Sequence, residues 1–225
     1  MLLLALDTAT PAVTVAVHDG TSVLAAASSL GARRHGELVA PTVQRVLTEA
    51  GVAPRDLTRI AVGVGPGPFT GLRVGLMTAR TLAVVTGAEV VGVCTLDILA
   101  RAVVTERSVG GSPFVVATDA RRKEVYWAGY DGDGRRTEGP HVDSPTGLAD
   151  RLPAGCVVVG GGGQLYVDVL PAAPGPRGPD AGVLAAAVAA GSVPLLPAEP
   201  LYLRRPDVTV SSQQPRAAAP DRALP

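Results

Sequence analysis

The stretch MLLLALDTATPAVTVAVHDG at residues 1–20 has a counterpart of the same design, PFVVATDARRKEVYWAGYDGDG, at residues 113–134. In each stretch an apolar strand runs into an aspartate and a short polar turn, and a second apolar strand then ends at a turn rich in glycine and aspartate. Both copies continue with a third strand, a helix, a strand that ends in glycines and another helix. A βββαβα unit that occurs twice predicts an α/β protein with the two-lobed actin-like (ASKHA, ribonuclease H-like) fold.

The duplication divides the chain into two predicted lobes and a tail. Residues 1–109 are predicted to form the N-terminal lobe and residues 110–206 the C-terminal lobe, with a Gly-Gly-Ser triplet at the boundary. The sequence at 207–225 has almost no large apolar residue, so it cannot bury enough surface to offset the entropy lost on ordering. We therefore predict a disordered tail over 207–225.

The composition excludes several classes of protein. With 225 residues, 47% of them hydrophobic and 18% charged, the chain resembles an ordinary soluble protein with a sizeable core. It has 20 basic and 20 acidic residues, so no net field draws it to nucleic acid or to an anionic membrane. Its two cysteines form no CxxC pair, which favours a reducing compartment. No apolar run has the length of a membrane span, and we predict a cytoplasmic location.

Two aspartates and a glycine are the candidate nucleotide ligands, because nucleotide chemistry in this fold takes place between the lobes. Asp7 and Asp119 end the first strand of each copy, and Gly161 lies in a run of four glycines that could admit an adenine. Related ATPases carry Asp-x-Gly at the first position, and here Ala9 replaces that glycine while Pro11 stiffens the turn. Phosphate approach should be hindered. Two roles remain open for these aspartates. They either face a cleft as a pair or simply form turns at the strand ends.

The loop GPGPFTGLR at residues 65–73 lies between a predicted strand over 59–64 and a predicted helix over 71–86. Strand, glycine loop and helix is the layout of a phosphate-binding loop. The Gly-Lys-Ser/Thr of such a loop is missing, however, and Pro66 and Pro68 remove two backbone N–H groups. A rigid turn with Thr70 as N-cap of the helix is therefore favoured over an anion site.

The helix predicted over 71–86 is apolar on nearly every side, and a helix of that kind must be covered on nearly every side. Neighbours within the chain or a protein partner could provide the cover. A second helix, predicted over 36–50, has a leucine on its outer side. The predicted partner surface consists of Leu38, Gly71, Leu72, Gly75, Leu76, Ala79 and Ala83.

We predict no catalytic residue, cofactor site or metal site in this chain. Its three histidines are scattered, neither cysteine has an activating motif, and no Gly-x-Ser-x-Gly motif supports a peptidase or another hydrolase. Three small basic clusters are solvated surface charge or contacts to RNA within a larger complex. They are Arg33-Arg34, Arg121-Arg122-Lys123 and Arg204-Arg205.

The loop sequence GPGPFTGLR resembles the GPGSFTGLR signature of the bacterial TsaB (YeaZ) family. Four shorter motifs occur around it in the expected order, namely LALDT near the start, RHGE, DAR followed by EVY, and PLYLR, so the resemblance covers about residues 1–206. Pro68 and Gly36 both stand where the family usually has serine. The signature-loop residues are Gly65, Pro66, Gly67, Phe69, Thr70 and Arg73.

The resemblance implies the actin-like fold and a part in making N6-threonylcarbamoyladenosine at adenosine 37 of tRNAs that read codons beginning with A. It implies a non-catalytic scaffold or activator of the catalytic subunit TsaD, which carries the ATP and the metal and is joined by the ATPase TsaE. Contact with TsaD, or with a second copy of the chain, would use the two helices described above, and tRNA would be met indirectly. The alternative is an active small-molecule kinase or ATPase of the same fold.

Overall fold

The computed structural model describes residues 1–31 and 34–204. The tail predicted over 207–225 lies outside the described residues, as do Arg33 and Arg205 of the basic clusters.

The order of helices and strands repeats once along the chain, as the sequence predicts. The first half contains β1 (Leu3–Asp7), β2 (Ala12–His18), β3 (Val23–Leu30), α1 (His35–Ala50), β4 (Arg59–Gly63), α2 (Phe69–Thr86), β5 (Glu89–Val93) and α3 (Thr95–Thr105). The second half contains β6 (Phe114–Asp119), β7 (Val125–Tyr130), β8 (Arg136–Asp143), α4 (Pro145–Ala149), β9 (Val157–Val159), α5 (Gly161–Leu165) and α6 (Ala181–Ala189).

The two halves form two sheets of related topology. The first sheet has the order β3-β2-β1-β4-β5 and the second the order β8-β7-β6-β9. In both, the first three strands are antiparallel and the next strand is parallel to the first. A parallel bridge between Val158 and Ala172 stands in the second sheet where β5 stands in the first. This repeat confirms the two-lobed actin-like fold.

Helices cover both faces of each sheet, which is why β1 and β2 read as almost continuous apolar runs. α1 and α2 pack on one face of the first sheet, where they bury Val43, Val46 and Leu76. α4 and the residues after α5 pack on the outer face of the second sheet, around Leu148 and Trp127. The remaining two helices, α3 and α6, lie between the sheets.

The halves exchange these two middle helices. α6 belongs to the second half, yet its Leu184 and Val188 pack against Leu3 and Ala5 of the first sheet. α3 belongs to the first half, yet its Leu99 packs in the core of the second sheet. The packing therefore does not divide near residue 110, where the sequence places the boundary between the duplicated units.

After α6 the chain continues along the first lobe. Leu196 pairs with Gly92 of β5, and the N–H of Leu201 donates to the carbonyl of Val64. Arg80 of α2 donates to the carbonyl of Ala198 at 2.7 Å. Residues 181–202, which the sequence assigns to the C-terminal lobe, thus pack on the N-terminal lobe.

The helices predicted over 36–50 and 71–86 agree with α1 and α2 to within two residues, but the predicted N-cap of α2 is wrong. α2 begins at Phe69, with Pro68 as N-cap and no capping side chain, so Thr70 is not the N-cap. The prediction was wrong because threonine is a common N-cap residue, whereas this helix begins directly after Pro68, one residue before Thr70. Gly51 ends α1 in the left-handed conformation. Among residues 1–31 and 34–204, no helix is long and apolar enough to cross a membrane.

Candidate functional site

The carboxylate of Asp7 points into the protein at the end of β1 and is fully buried. It accepts a hydrogen bond from the hydroxyl of Thr95 at 2.7 Å and another from the N–H of Ala9 at 2.7 Å. Gly63 lies against it, because a Cβ at that position would overlap the carboxylate. Asp7 is therefore enclosed by its own lobe and has no free path to a ligand between the lobes.

Thr95 joins Asp7 to the signature loop. Its hydroxyl accepts a hydrogen bond from the N–H of Gly65, and its own N–H donates to the Gly65 carbonyl at 2.8 Å. Burial raises the pKa of Asp7 from about 3.8 to about 6, against the opposing effect of the hydrogen bonds from Thr95 and Ala9. The carboxyl group thus fastens β1, the loop and the start of α3 to one another.

This raised pKa predicts a stability that depends on pH. A carboxyl group whose pKa is higher in the folded chain stabilises the fold below the unfolded value and loses that contribution as the pH rises through the folded value. Compared with Asp7→Asn, the wild-type chain is expected to lose about 3 kcal/mol of unfolding free energy as the pH rises through the window from 3.8 to 6. Urea unfolding of both proteins across this window measures the difference. A difference that stays constant with pH contradicts the prediction.

A cavity of about 310 Å³ lies between the lobes, where this fold places a nucleotide. Asp119 and Gly161 line it, and Asp7 does not. The first-lobe wall includes Pro11, Leu30 and Pro68, and Leu165 faces them from the second lobe. The two prolines offer no N–H group to a phosphate, so this wall, which also contains Thr10, has fewer donors than the phosphate-binding turn of an ATPase.

Two of the polar groups that line the cavity, on Asp119 and Gly161, are already bonded within the chain. Asp119 accepts a hydrogen bond from the backbone N–H of Arg121 at 2.8 Å. Its carboxylate also forms an ion pair with the Arg121 guanidinium at 3.3 Å. The N–H of Gly161 donates to the carbonyl of Arg177. Asp7 and Asp119 both accept from the N–H two residues ahead, so each is the first residue of a tight turn.

The residues present do not fit magnesium and a nucleotide in the manner of an actin-like ATPase. Asp7 and Asp119 do not face one another across the cavity, since only Asp119 reaches it. Gly162 and Gly163 pack against the backbones of β6 and β9 and do not line the cavity. Within the described part of the chain, no group of three His, Cys, Asp or Glu side chains could hold a metal ion.

The signature loop holds the C-terminal segment against α2. The ring of Phe69 stacks on Tyr202 with a centroid distance of 5.3 Å. The guanidinium of Arg73 lies 3.8 Å above the Phe69 ring, and its Nε donates to the Tyr202 hydroxyl at 3.3 Å. Gly67 packs on the carbonyl of Ala9, where a side chain would overlap it. Sequence reasoning missed Tyr202, although the PLYLR motif that contains it was singled out.

The small residues of α2 meet the first lobe and not a partner. The Thr8 hydroxyl donates to the carbonyl of Gly71 at 2.7 Å and accepts from the N–H of Gly75 at 3.0 Å. A Cβ at Gly71 would lie 2.5 Å from the Thr8 carbonyl, and one at Gly75 would overlap the Thr8 hydroxyl. The glycines are needed because the end of β1 approaches the helix backbone closely.

This packing corrects the composition of the predicted partner surface. Leu72 and Ala79 are fully buried within the chain and Leu76 is nearly so. Together with Gly71 and Gly75, these residues are not on the surface of the molecule. Leu38 and Ala83 are half-buried, and only these two of the seven residues have an outward part.

α2 nevertheless exposes an apolar stripe, which consists of Met77, Val84 and Val85. Their exposed fractions are 58%, 88% and 78%. The stripe lies beside Arg73 and Arg80, whose side chains bind the C-terminal segment. An exposed patch of large apolar side chains on a rigid helix is typical of a protein-binding surface.

The cysteines do not support a peptidase. Cys94 is fully buried, and burial together with the nearby Asp97 raises its pKa to about 12, so it is not a thiolate near neutral pH. Cys156 is half-buried, and burial raises its pKa as well.

Comparisons with known proteins find similar sequences and structures. A family model described as "TsaD: tRNA N6-adenosine threonylcarbamoyltransferase" matches residues 28–159. An uncharacterized protein of Mycobacterium tuberculosis is 42% identical over 215 residues, which cover 91% of this chain and 92% of the relative. The tRNA threonylcarbamoyladenosine biosynthesis protein TsaB of Escherichia coli is 38% identical over 179 residues, which cover 75% of each protein.

Two solved structures from Pseudomonas aeruginosa have the same fold. YeaZ is 32% identical with a TM-score of 0.73, and the match covers 90% of this chain and 99% of that one. An uncharacterized protein described as similar to peptidase YEAZ is 33% identical with a TM-score of 0.75 over the same shares. Both likenesses extend across the two lobes.

Proposed function

The chain belongs to the TsaB (YeaZ) family, as its signature loop predicts, and we propose that it takes part in making N6-threonylcarbamoyladenosine in tRNA. It acts as a scaffold or activator without chemistry of its own. Its partner is a TsaD-like catalytic subunit, which carries the ATP and the metal and works with a TsaE-like ATPase. The complex operates in the cytoplasm on adenosine 37 of tRNAs that read codons beginning with A.

The observation that carries the non-catalytic role is the orientation of Asp7. In an actin-like ATPase the equivalent aspartate helps to place magnesium at the cleft. Here the carboxylate is held by Thr95 and Ala9 within the first lobe, and the cavity wall in front of it contains Pro11 and Pro68. A chain with this arrangement lacks both the metal ligand and the N–H donors that phosphate transfer needs.

The apolar stripe of Met77, Val84 and Val85 supports docking of the TsaD-like subunit on α2. The stripe is covered by nothing within the described part of the chain. α1 packs beside α2 and adds the half-buried Leu38. These residues replace the buried glycines and leucines as the centre of the proposed contact, and a second copy of this chain could use the same stripe when the partner is absent.

Reconstitution tests the proposal. Purified chain alone is expected to form no N6-threonylcarbamoyladenosine and to hydrolyse no ATP. Addition of the chain to the TsaD-like and TsaE-like proteins of the same organism, with tRNA, ATP and a preformed, activated threonylcarbamoyl donor, is expected to raise product formation well above that of the mixture without it. Product formation or ATP turnover by the chain alone contradicts the non-catalytic role. No gain from adding the chain contradicts the proposed function as a whole.

Calorimetry with Mg-ATP distinguishes the alternative, an active kinase or ATPase of the same fold. Saturable binding with micromolar affinity by the isolated chain, lost on changing Asp119, favours that alternative. We expect no such binding, because Asp119 and the N–H of Gly161 are engaged within the chain.

A further inference from the structure

A second cavity, of about 500 Å³, lies where the start of α3 meets the turn between β7 and β8 and the segment that follows α6. None of its lining residues lines the cavity between the lobes described above. Asp97 of α3 contributes a carboxylate to it, and Arg135 and Arg136, at the end of the β7–β8 turn, contribute two guanidinium groups. The proposed function gives this second cavity no role.

The carboxylate of Asp97 has one oxygen that is bonded and one that is not. The side chain is only 5% exposed. Its Oδ1 accepts a hydrogen bond from the Tyr130 hydroxyl at 2.8 Å and lies 3.4 Å from Nε of Arg136. Its Oδ2 is buried and has no hydrogen-bond partner among residues 1–31 and 34–204. A buried carboxylate oxygen without a donor is costly, so folded proteins normally supply one from the chain, from water or from a ligand.

The two contacts of Oδ1 do not fully offset the cost of burying the charge of Asp97. Burial raises the pKa of this carboxyl group, against the opposing effects of Arg136 and of the Tyr130 hydroxyl. A cationic donor at Oδ2 favours the ionised carboxylate and lowers the pKa again. The site is therefore more stable with such a donor bound than without one.

Arg135 brings a positive charge to the same cavity. Its backbone N–H donates to the Asp131 carboxylate at 2.8 Å, which holds the turn in place. Its side chain is exposed, and the guanidinium makes no hydrogen bond or ion pair with any other described residue. An anionic group of a ligand can therefore pair with it without displacing a partner.

The rest of the wall complements these two charges. Gly191 follows the C-cap of α6 and has a φ of 63°, so the carbonyl end of a helix lies beside the cavity. The carbonyl end of a helix attracts positive charge. Val193 and Pro194 supply an apolar part, which suits a short carbon chain.

We propose that this cavity binds a free α-amino acid as its zwitterion. The ammonium group donates to Oδ2 of Asp97, and the carboxylate pairs with Arg135. A bare cation is repelled by the guanidinium groups and a bare anion by the carboxylate of Asp97, so a molecule that carries both charges suits the lining better than either. A cavity of about 500 Å³ is in the usual size range of small-molecule sites. The inference does not depend on the proposed function.

The first experiment screens the standard amino acids against the full chain by saturation-transfer NMR and by thermal unfolding. At least one is expected to bind with a dissociation constant below about 1 mM and to raise the melting temperature. Its N-acetyl derivative, which has no ammonium group, and its amide, which has no carboxylate, are then compared with it. Each analogue should bind about tenfold more weakly or worse, because each lacks one charge-assisted hydrogen bond.

Two variants assign these contacts to side chains. Asp97→Asn keeps an acceptor for Tyr130 and removes the charge, and it should no longer distinguish the amino acid from its N-acetyl derivative. Arg135→Gln changes an exposed side chain and should no longer distinguish the amino acid from its amide. Both should weaken binding of the amino acid about tenfold or more. Arg55→Gln, which changes an arginine that is 87% exposed in the first lobe, is the matched control and should bind as the wild type does.

The proposal is overturned if no amino acid binds, because water then supplies the donor to Oδ2. It is also overturned if both analogues bind as tightly as the amino acid, or if Asp97→Asn and Arg135→Gln bind with the wild-type affinity, since binding then takes place elsewhere. Equal weakening by Arg55→Gln has the same meaning. If Asp97→Asn does not fold, Arg135→Gln decides with the amino acid and its amide. None of these outcomes involves the reconstituted modification of tRNA, so failure of the proposed function is recognised separately.

Discussion

Met77→Lys/Val84→Lys is expected to weaken binding of the TsaD-like subunit about 100-fold or more while the chain stays folded. Both side chains are largely exposed on α2, and lysine is a good helix former, so the isolated chain tolerates the change. In the complex, each ammonium group would be buried against an apolar surface without a partner, and an unpaired buried charge costs roughly 3–5 kcal/mol. Titration calorimetry of the two purified proteins measures the loss.

Val167→Lys/Val169→Lys is the matched control for this experiment. These valines are also exposed, at 59% and 42%, but lie after α5 in the second half of the chain. They should leave binding of the subunit unchanged. If both double variants bind with the wild-type affinity, the apolar stripe is not the contact surface.

Gly75→Leu is expected to destabilise the isolated chain by about 3 kcal/mol, which lowers the melting temperature by about 6–12 °C. The new side chain would overlap the Thr8 hydroxyl and separate it from the backbone groups of Gly71 and Gly75 that it bonds. Buried polar groups would then lose their partners, which adds to the cost of overpacking. Thermal unfolding followed by circular dichroism gives the change.

Gly36→Leu provides the comparison for Gly75→Leu. Gly36 is also helical, and a Cβ there meets nothing within 4 Å, so the substitution should have little effect on stability. The two results also decide what the glycines of α2 are for. If Gly75→Leu leaves the stability of the isolated chain intact and only weakens assembly, Gly75 belongs to a partner surface, as the sequence pattern first indicated.

The sequence predicts the fold well because the signal is repeated. Each half contains the same succession of strand, aspartate, turn and strand, and each copy confirms the assignment of the other. The structure adds capping chemistry of the same local kind, since Ser144 and Asp180 begin α4 and α6 through side chains that accept N–H groups of the first turn. Such signals lie within a few residues of the feature that they predict.

The sequence could not assign the faces of α2, because that assignment depends on a residue far away. Four-residue spacing of small side chains shows that some backbone approaches closely, and both a partner helix and a neighbouring strand satisfy it. The neighbour is Thr8, which is 63 residues from Gly71 and 67 from Gly75 along the chain. An unremarkable threonine after the first strand gives no signal of that contact.

The sequence also could not predict the direction of the Asp7 carboxylate. Whether this side chain faces a ligand or the interior is decided by Thr95, which is 88 residues away and donates the hydrogen bond that turns it inward. The substitution of alanine for glycine at position 9 indicated that phosphate approach is hindered, and the structure adds the reason that this turn is packed on Gly67.

The exchange of α3 and α6 between the halves has a consequence for synthesis on the ribosome. The first sheet emerges early, but the side chains of Leu3 and Ala5 on one of its faces stay exposed until α6 has been made. The N-terminal half therefore cannot complete its core while it is the only part outside the exit tunnel. A nascent chain that stalls before residue 181 exposes the apolar face of this sheet to chaperones. Folding of this protein should finish only near the end of translation.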